Sequence, residues 1–207
     1  TAGADDDIVD AARTMVSENS RRLPVVDGDE LVGILTVTDV VRAIARGEID
    51  GDTEVGGLAT RAVNATHTET PLPVAEREIA LSRVPYAVVL DDDAGLTGML
   101  TEVDILEVAR VVEGEASTGD SIAEQDSEWS WEGIKATGAR YLPTRNVEIP
   151  AEAVHHFMTE DLITVNATRT AKEVAQELIS NDIEQVPLVS GTDLDGIVRD
   201  VDLLEGL

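Results

Sequence analysis

The chain has 207 residues, 43% of them hydrophobic, which suffices for one large domain or several small ones and is too apolar for a disordered tail. Its 42 Asp and Glu outnumber 15 Lys and Arg, and the formal charge of −27 disfavours polyanions, so neither nucleic acid nor a membrane surface is an expected partner. Cysteine is absent, which excludes a disulfide framework, a thiolate nucleophile and cysteine-ligated metal centres.

Only Lys135 and Lys172 among the basic residues are lysines. A carboxylate-rich, lysine-poor surface suits a halophilic cytoplasm: molar salt cuts the Debye length to about 3 Å and removes most of the self-repulsion, so folding is expected to depend on salt. No apolar run approaches the roughly 18 residues of a spanning helix and no signal peptide opens the chain, so a cytoplasmic protein is expected. The chain starts at Thr1, without an initiator Met, and trimming at that end is an expectation.

In chain order, residues 1–50 form a first unit. Ile8, Ala11, Ala12 and Met15 fall on one helical face, Leu23-Pro24-Val25-Val26 reads as a strand, and Asp27-Gly28 signals a hairpin turn. A second unit, 55–113, opens with Val63-Asn64-Ala65-Thr66. Its helix is expected from about Pro73 to Leu81, because Pro71 and Pro73 are tolerated in a first turn. Its next strand is headed by Val84-Pro85, and Asp91-Asp92-Asp93 lengthens the turn that follows. Residues 114–150 differ in composition and carry Trp129 and Trp131 in a chain with 2% aromatics. A packed insertion is expected there, its rings covering an apolar patch. The third unit, 151–207, runs from the apolar stretch Leu162 to Val165 through a helix stripe of Ala171, Val174, Ala175 and Leu178. Two strands about Ser190-Gly191-Thr192-Asp193 follow, then a terminal helix from Asp200.

The units are copies of one another. Val63-Asn64-Ala65-Thr66 recurs as Val165-Asn166-Ala167-Thr168, 102 residues on, and at that offset Pro85 falls on Pro187. Each copy ends in a heptapeptide: Gly33-Ile34-Leu35-Thr36-Val37-Thr38-Asp39, Gly98-Met99-Leu100-Thr101-Glu102-Val103-Asp104 and Gly196-Ile197-Val198-Arg199-Asp200-Val201-Asp202. Matching Pro24 to Pro187 sets Thr1 against Thr164, so the first copy begins inside its opening strand and a fourth copy is expected upstream.

Strand, helix, a Pro-led strand, a turn, then Gly-x-x-Thr-x-x-Asp into a helix resembles the cystathionine-β-synthase (CBS) domain, over all of the chain but the insertion. The resemblance implies an α+β fold of tandem CBS repeats, each a β-α-β-β-α unit with a three-stranded sheet and two helices, paired sheet to sheet in a Bateman module. It further implies ligand binding in clefts between units, typically of AMP, ADP, ATP or S-adenosylmethionine. The second and third units are expected to pair, leaving the first to a missing copy or a symmetry mate, and a homodimer is expected.

Independently of the resemblance, a strand ending in Gly-x-x-Thr delivers a hydroxyl just before a helix N-terminus, where backbone N–H groups attract an anion. An Asp three residues later can accept hydrogen bonds from vicinal ribose hydroxyls, or can simply cap the helix. Carried over from the family, the ribose and phosphate contacts fall on Thr36 and Asp39, and on Thr101 and Asp104. In the third unit Arg199 replaces the Thr while Asp202 keeps the acid, which implies loss or altered specificity. The base pocket falls on Ala62 and Val63 and on Thr164 and Val165. Two places before the Pro of the first two units stand Arg22 and Arg83, candidate phosphate partners or surface arginines paired with acids.

No Walker A loop, dinucleotide-binding Gly-x-Gly-x-x-Gly or Gly-x-Ser-x-Gly elbow occurs, and His67, His155 and His156 lack metal-ligand spacing. The expected function is regulatory: a sensor of adenine-containing nucleotides or S-adenosylmethionine that acts on an unidentified protein, with no enzyme activity, no required cofactor and no metal. The alternatives are a ligand-free scaffold for dimerisation or partner binding, and the regulatory portion of a longer enzyme or transporter.

Overall fold

A computed structural model of the chain describes residues 1–113, 134–137, 140–143 and 145–207. The first unit comprises β1 (Ala2–Gly3), α1 (Ile8–Ser17), β2 (Arg22–Asp27), β3 (Glu30–Thr36) and α2 (Val37–Arg46). Its sheet has the order β1-β2-β3, β1 parallel and β3 antiparallel to β2. The expected stripe is the buried one: Ala11, Ala12 and Met15 face the core, and Asp7 caps α1 by accepting the Val9 N–H. Gly28 turns the hairpin at φ 60°, a left-handed conformation that costs glycine nothing.

The second unit repeats this order with β4 (Ala65–His67), α3 (Leu72–Ser82), β5 (Tyr86–Leu90), β6 (Leu96–Thr101) and α4 (Glu102–Val108). Pro71 is the extended N-cap of α3 and Pro73 stands in its first turn, as the sequence allows. The following segment holds β7 (Arg110–Glu113), β8 (Ile134–Thr137), β9 (Arg140–Pro143) and β10 (Arg145–Glu148). Antiparallel pairing of β7 with β10 closes its base. Trp129 and Trp131 lie outside the described residues. The third unit comprises α5 (Ala171–Asn181), β11 (Gln185–Ser190), β12 (Asp193–Arg199) and α6 (Asp200–Leu204), with Val165 bridging Leu188 in parallel where an opening strand belongs.

Two interfaces join the units. The sheets of the second and third face each other around Tyr86, Val88, Met99 and Ile197, all buried, with Leu96 and Leu194 alongside. The segments leading into these two units cross over reciprocally. Thr60 exchanges two backbone hydrogen bonds with Ile197 (2.9 and 3.0 Å), and Thr159 exchanges two with Met99 (2.9 and 3.0 Å). Val55 and Val154 are fully buried; their N–H groups donate to Arg169 and Thr70 of the unit that the segment crosses. The first unit instead meets the third through helices, α2 lying on α5 and α6 within one continuous core. Arg21 clamps that interface by donating from Nη1 and Nη2 to the two carboxylate oxygens of Asp200 at 3.0 and 2.6 Å.

This register corrects the sequence alignment of the second unit. Ile34, Met99 and Ile197 pair with Pro24, Val88 and Pro187, so Val88, and not Pro85, is the counterpart of the two prolines. Backbone bonds agree: the first helical N–H groups of Val37, Glu102 and Asp200 donate to Arg21, Pro85 and Glu184, making Pro85 equivalent to Arg21. Thr66 pairs with Val89 as Val165 pairs with Leu188, so the opening strands are also displaced from the shared tetrapeptide by three residues. An inner strand needs apolar side chains at fixed alternation and is indifferent to whether one of them is Pro, which is why the identity of Pro85 misled the alignment.

Candidate nucleotide cleft

The Thr and Asp of the first two heptapeptides are reciprocal helix caps. Thr36 Oγ1 donates to Asp39 Oδ2 (2.7 Å), the Thr36 N–H donates to the same oxygen (3.0 Å), and the Asp39 N–H returns to Thr36 Oγ1 (3.3 Å). Thr101 and Asp104 repeat the arrangement at 2.7, 2.7 and 3.3 Å. Such boxes stabilise a helix start by about 1 kcal/mol. They also engage N–H groups that an anion would otherwise use, since Val37 and Glu102 donate to carbonyls and Asp39 and Asp104 to hydroxyls.

What remains for a ligand is the outer carboxylate oxygen, and here the three units differ. Asp39 Oδ1 accepts from Arg42 Nη1 at 3.0 Å. The Thr36 hydroxyl bond first, and then Arg42, hold the Asp39 carboxyl below the usual aspartate value. Asp202 is buried, with both oxygens taken: Oδ2 accepts from the Arg199 N–H (2.8 Å) and Nε (3.1 Å), and Oδ1 from Nη2. Arg199 Nη2 also reaches Thr60 Oγ1 at 3.2 Å, and the bond to Asp202 raises the Arg199 pKa further above its ordinary value. Arg199 is therefore its own counter-ion's partner. Asp104 is half-buried, and its Oδ1 has no partner among the described residues.

The register brings Arg22 opposite Thr36, Tyr86 opposite Thr101 and Gln185 opposite Arg199. Arg83 is not in this row. It is exposed at the left-handed cap of α3 (φ 64°), the position that Asn19 and Asp182 occupy in the other units. Ala62 is exposed ahead of β4, and Val63 packs between the sheets. Thr164 is exposed beside the buried Val165, and their counterparts in the second unit are Ala65 and Thr66. Tyr86 is the residue that sequence reasoning missed. It is buried beside the Arg199–Asp202 pair, and burial pushes its hydroxyl pKa up. Counting back from the heptapeptide finds it: Arg22 and Gln185 each precede the paired residue by fourteen, and Tyr86 precedes Thr101 by fifteen.

In the acidic turn Asp91 Oδ1 accepts from the N–H groups of Asp93 and Gly95, and Asp92 Oδ1 lies 3.0 Å from His67 Nε2. No group of three His, Asp or Glu is arranged to hold a metal among the described residues.

The CBS domain family matches the chain over residues 1–46, 55–110 and 154–207. The chain is a CBS-domain protein. It is 28% identical over 202 residues to the uncharacterized protein MJ1404 of Methanocaldococcus jannaschii, covering 97% of this chain and 43% of that one, less than two thirds of the relative's length. Among solved structures, the CBS-domain chain is similar to an uncharacterized conserved protein from Pyrococcus horikoshii, with TM-score 0.73 and 29% identity over 97% of this chain and 75% of that one. It shares a fold with CBSX2, solved in complex with AMP, at TM-score 0.52 and 16% identity over 74% of this chain and 94% of that one. No helix among the described residues of this CBS-domain protein is long and apolar enough to cross a membrane.

Proposed function

We propose that this chain is a regulatory, noncatalytic sensor of adenine-containing nucleotides, and that its operative site is the cleft at Thr101 and Asp104. The observation that carries this reading is the outer oxygen of Asp104. Of the three equivalent carboxylates it alone lacks a partner among the described residues, while Asp39 is held by Arg42 and Asp202 is consumed by Arg199. A half-buried carboxylate oxygen with spare lone pairs is suited to vicinal ribose hydroxyls, whose O–H···O⁻ bonds are among the stronger neutral-to-ion contacts. The segment from the third unit that crosses at Met99 forms one wall, and the Val63 and Leu162 side chains supply apolar surface for a base. AMP on CBSX2 supports the ligand class, and S-adenosylmethionine offers the same adenosine moiety.

A ligand wedged between two units stabilises whichever arrangement of them it fits, by about 2.7 kcal/mol at 100 times its dissociation constant. Regulation follows when a partner protein prefers one arrangement. Calorimetry in molar KCl with AMP, ADP, ATP and S-adenosylmethionine tests the reading. At least one is expected to bind saturably, with Asp104→Ala weakening it about tenfold, a loss of about 1.4 kcal/mol, and Asp39→Ala leaving it nearly unchanged. Parent-like affinity in Asp104→Ala removes that carboxylate from the site. No response to any of the four ligands favours the ligand-free scaffold.

A further inference from the structure

In the paired second and third units, the residue that register sets opposite each N-cap lies against the heptapeptide of the other unit. Tyr86 stands opposite Thr101 in its own sheet and beside Arg199 and Asp202 of the third unit. Gln185 stands opposite Arg199, and its Nε2 donates to Met99 Sδ of the second unit at 3.8 Å. Met99 and Thr101 project from the same face of β6, about 7 Å apart along the strand, which puts the Gln185 amide at the cleft of Thr101 and Asp104. The two clefts are therefore furnished differently. Buried Tyr86 adds a ring to the one already closed by the Arg199–Asp202 pair, whereas half-buried Gln185 brings a donor and an acceptor to the open one. In the first unit the same position holds Arg22, which is exposed.

Neither end of this amide is well used within the chain. A thioether sulfur is a weak acceptor, and Oε1 has no partner among the described residues. The interface that the amide borders is apolar, with Met99, Ile197 and Leu162 packed together. An amide at the margin of such a core gives up water without gaining full hydrogen bonds, which costs the empty fold stability. We infer that Gln185 reads the base of the nucleotide whose ribose Asp104 holds, and so sets specificity at that cleft, an assignment that rests on the sensor reading above. Adenine carries its N6 amino donor beside ring-nitrogen acceptors, and a Gln amide matches such an edge with two parallel hydrogen bonds. With the ribose at the start of α4, a base extending back along β6 towards Met99 runs in the direction in which the amide lies. Apolar walls alone accept any flat ring, whereas an amide among them favours one that pairs with both of its ends.

Calorimetry in molar KCl tests this with AMP and with purine riboside 5′-monophosphate, which lacks only the 6-amino group. The parent is expected to bind AMP about tenfold more tightly than the analogue. Gln185→Met, of similar shape but without the amide, is expected to bind both equally at the analogue's affinity, and to melt no lower than the parent when ligand is absent. Gln185→Leu, measured in the same way, decides the matter if the Met variant folds poorly. A preference for AMP that survives both substitutions overturns the assignment, because a residue with a merely structural role weakens the two ligands alike and leaves their ratio unchanged. The two readings fail separately. A parent that binds neither of these ligands, nor ADP, ATP or S-adenosylmethionine, removes the sensor reading and this assignment with it. A parent that loses AMP on Asp104→Ala, yet keeps its preference for AMP through Gln185→Met and Gln185→Leu, overturns the assignment alone.

Discussion

The same Thr-x-x-Asp spacing has a different chemical outcome in each unit, decided by one neighbour. Arg42, a turn along α2, takes the outer oxygen of Asp39, and Arg199 inside the heptapeptide takes both oxygens of Asp202, leaving Asp104. The Asp39 case has a pH signature. Its carboxyl is depressed below the ordinary aspartate value near 3.8, so its contribution to stability is complete above that value and is lost as pH falls through the lower folded one. Asp39→Asn is therefore expected to be less stable than the parent at neutral pH and to converge on it in acid, by denaturant melts at fixed KCl. A difference that stays constant from neutrality down to strong acid would show that the carboxylate charge contributes nothing. Sequence reasoning could name these Thr and Asp residues because caps and ligand contacts use the same types. It could not rank them, because the ranking depends on where arginine side chains turn.

At the level of strands, glycine at the head of each heptapeptide has two distinct meanings. At Gly196 a Cβ would lie 2.7 Å from the Thr60 carbonyl oxygen, and at Gly98 2.9 Å from that of Thr159, so backbone passes where a side chain would be. Alanine there forces the crossing segment outward, at an expected cost of about 1–3 kcal/mol. Gly33→Ala meets open space and is expected to change stability by no more than about 0.5 kcal/mol. Equilibrium unfolding of the three variants decides this, and equal losses at all three would mean that the crossing contacts carry no energy. Strand order, hairpin turns and helix stripes were legible because alternation and 3.6-residue spacing leave direct marks. The register of the second unit was not. A shared tetrapeptide suggested a displacement of 102 residues, whereas the crossing threonines, Thr60 and Thr159, stand 99 apart. Packing reads side-chain alternation and turn length, and a short identity between two apolar strands constrains neither.

Over the whole molecule the charge of −27 is confined to a chain with few compensating cations, and one of those, Arg21, is committed to the bond between the first and third units. Melting across a KCl series is expected to show stability rising steeply to molar salt, since screening removes repulsion among exposed carboxylates faster than it weakens the half-buried Arg21–Asp200 pair. A melting temperature indifferent to KCl would refute the electrostatic account of this composition. Three repeats leave one without an intrachain partner, and the second and third, the pair expected, do face each other; the attachment of the first through its helices was not legible, because an apolar helical stripe does not say which neighbour it faces. The crossing segments bear on how such chains change length over evolutionary time. Each of the paired units takes an antiparallel β-bridge, through Ile197 or Met99, from the segment ahead of its neighbour, so duplicating or deleting one alone leaves those backbone groups unpaired in the survivor. Gain and loss are thus expected to proceed by twos.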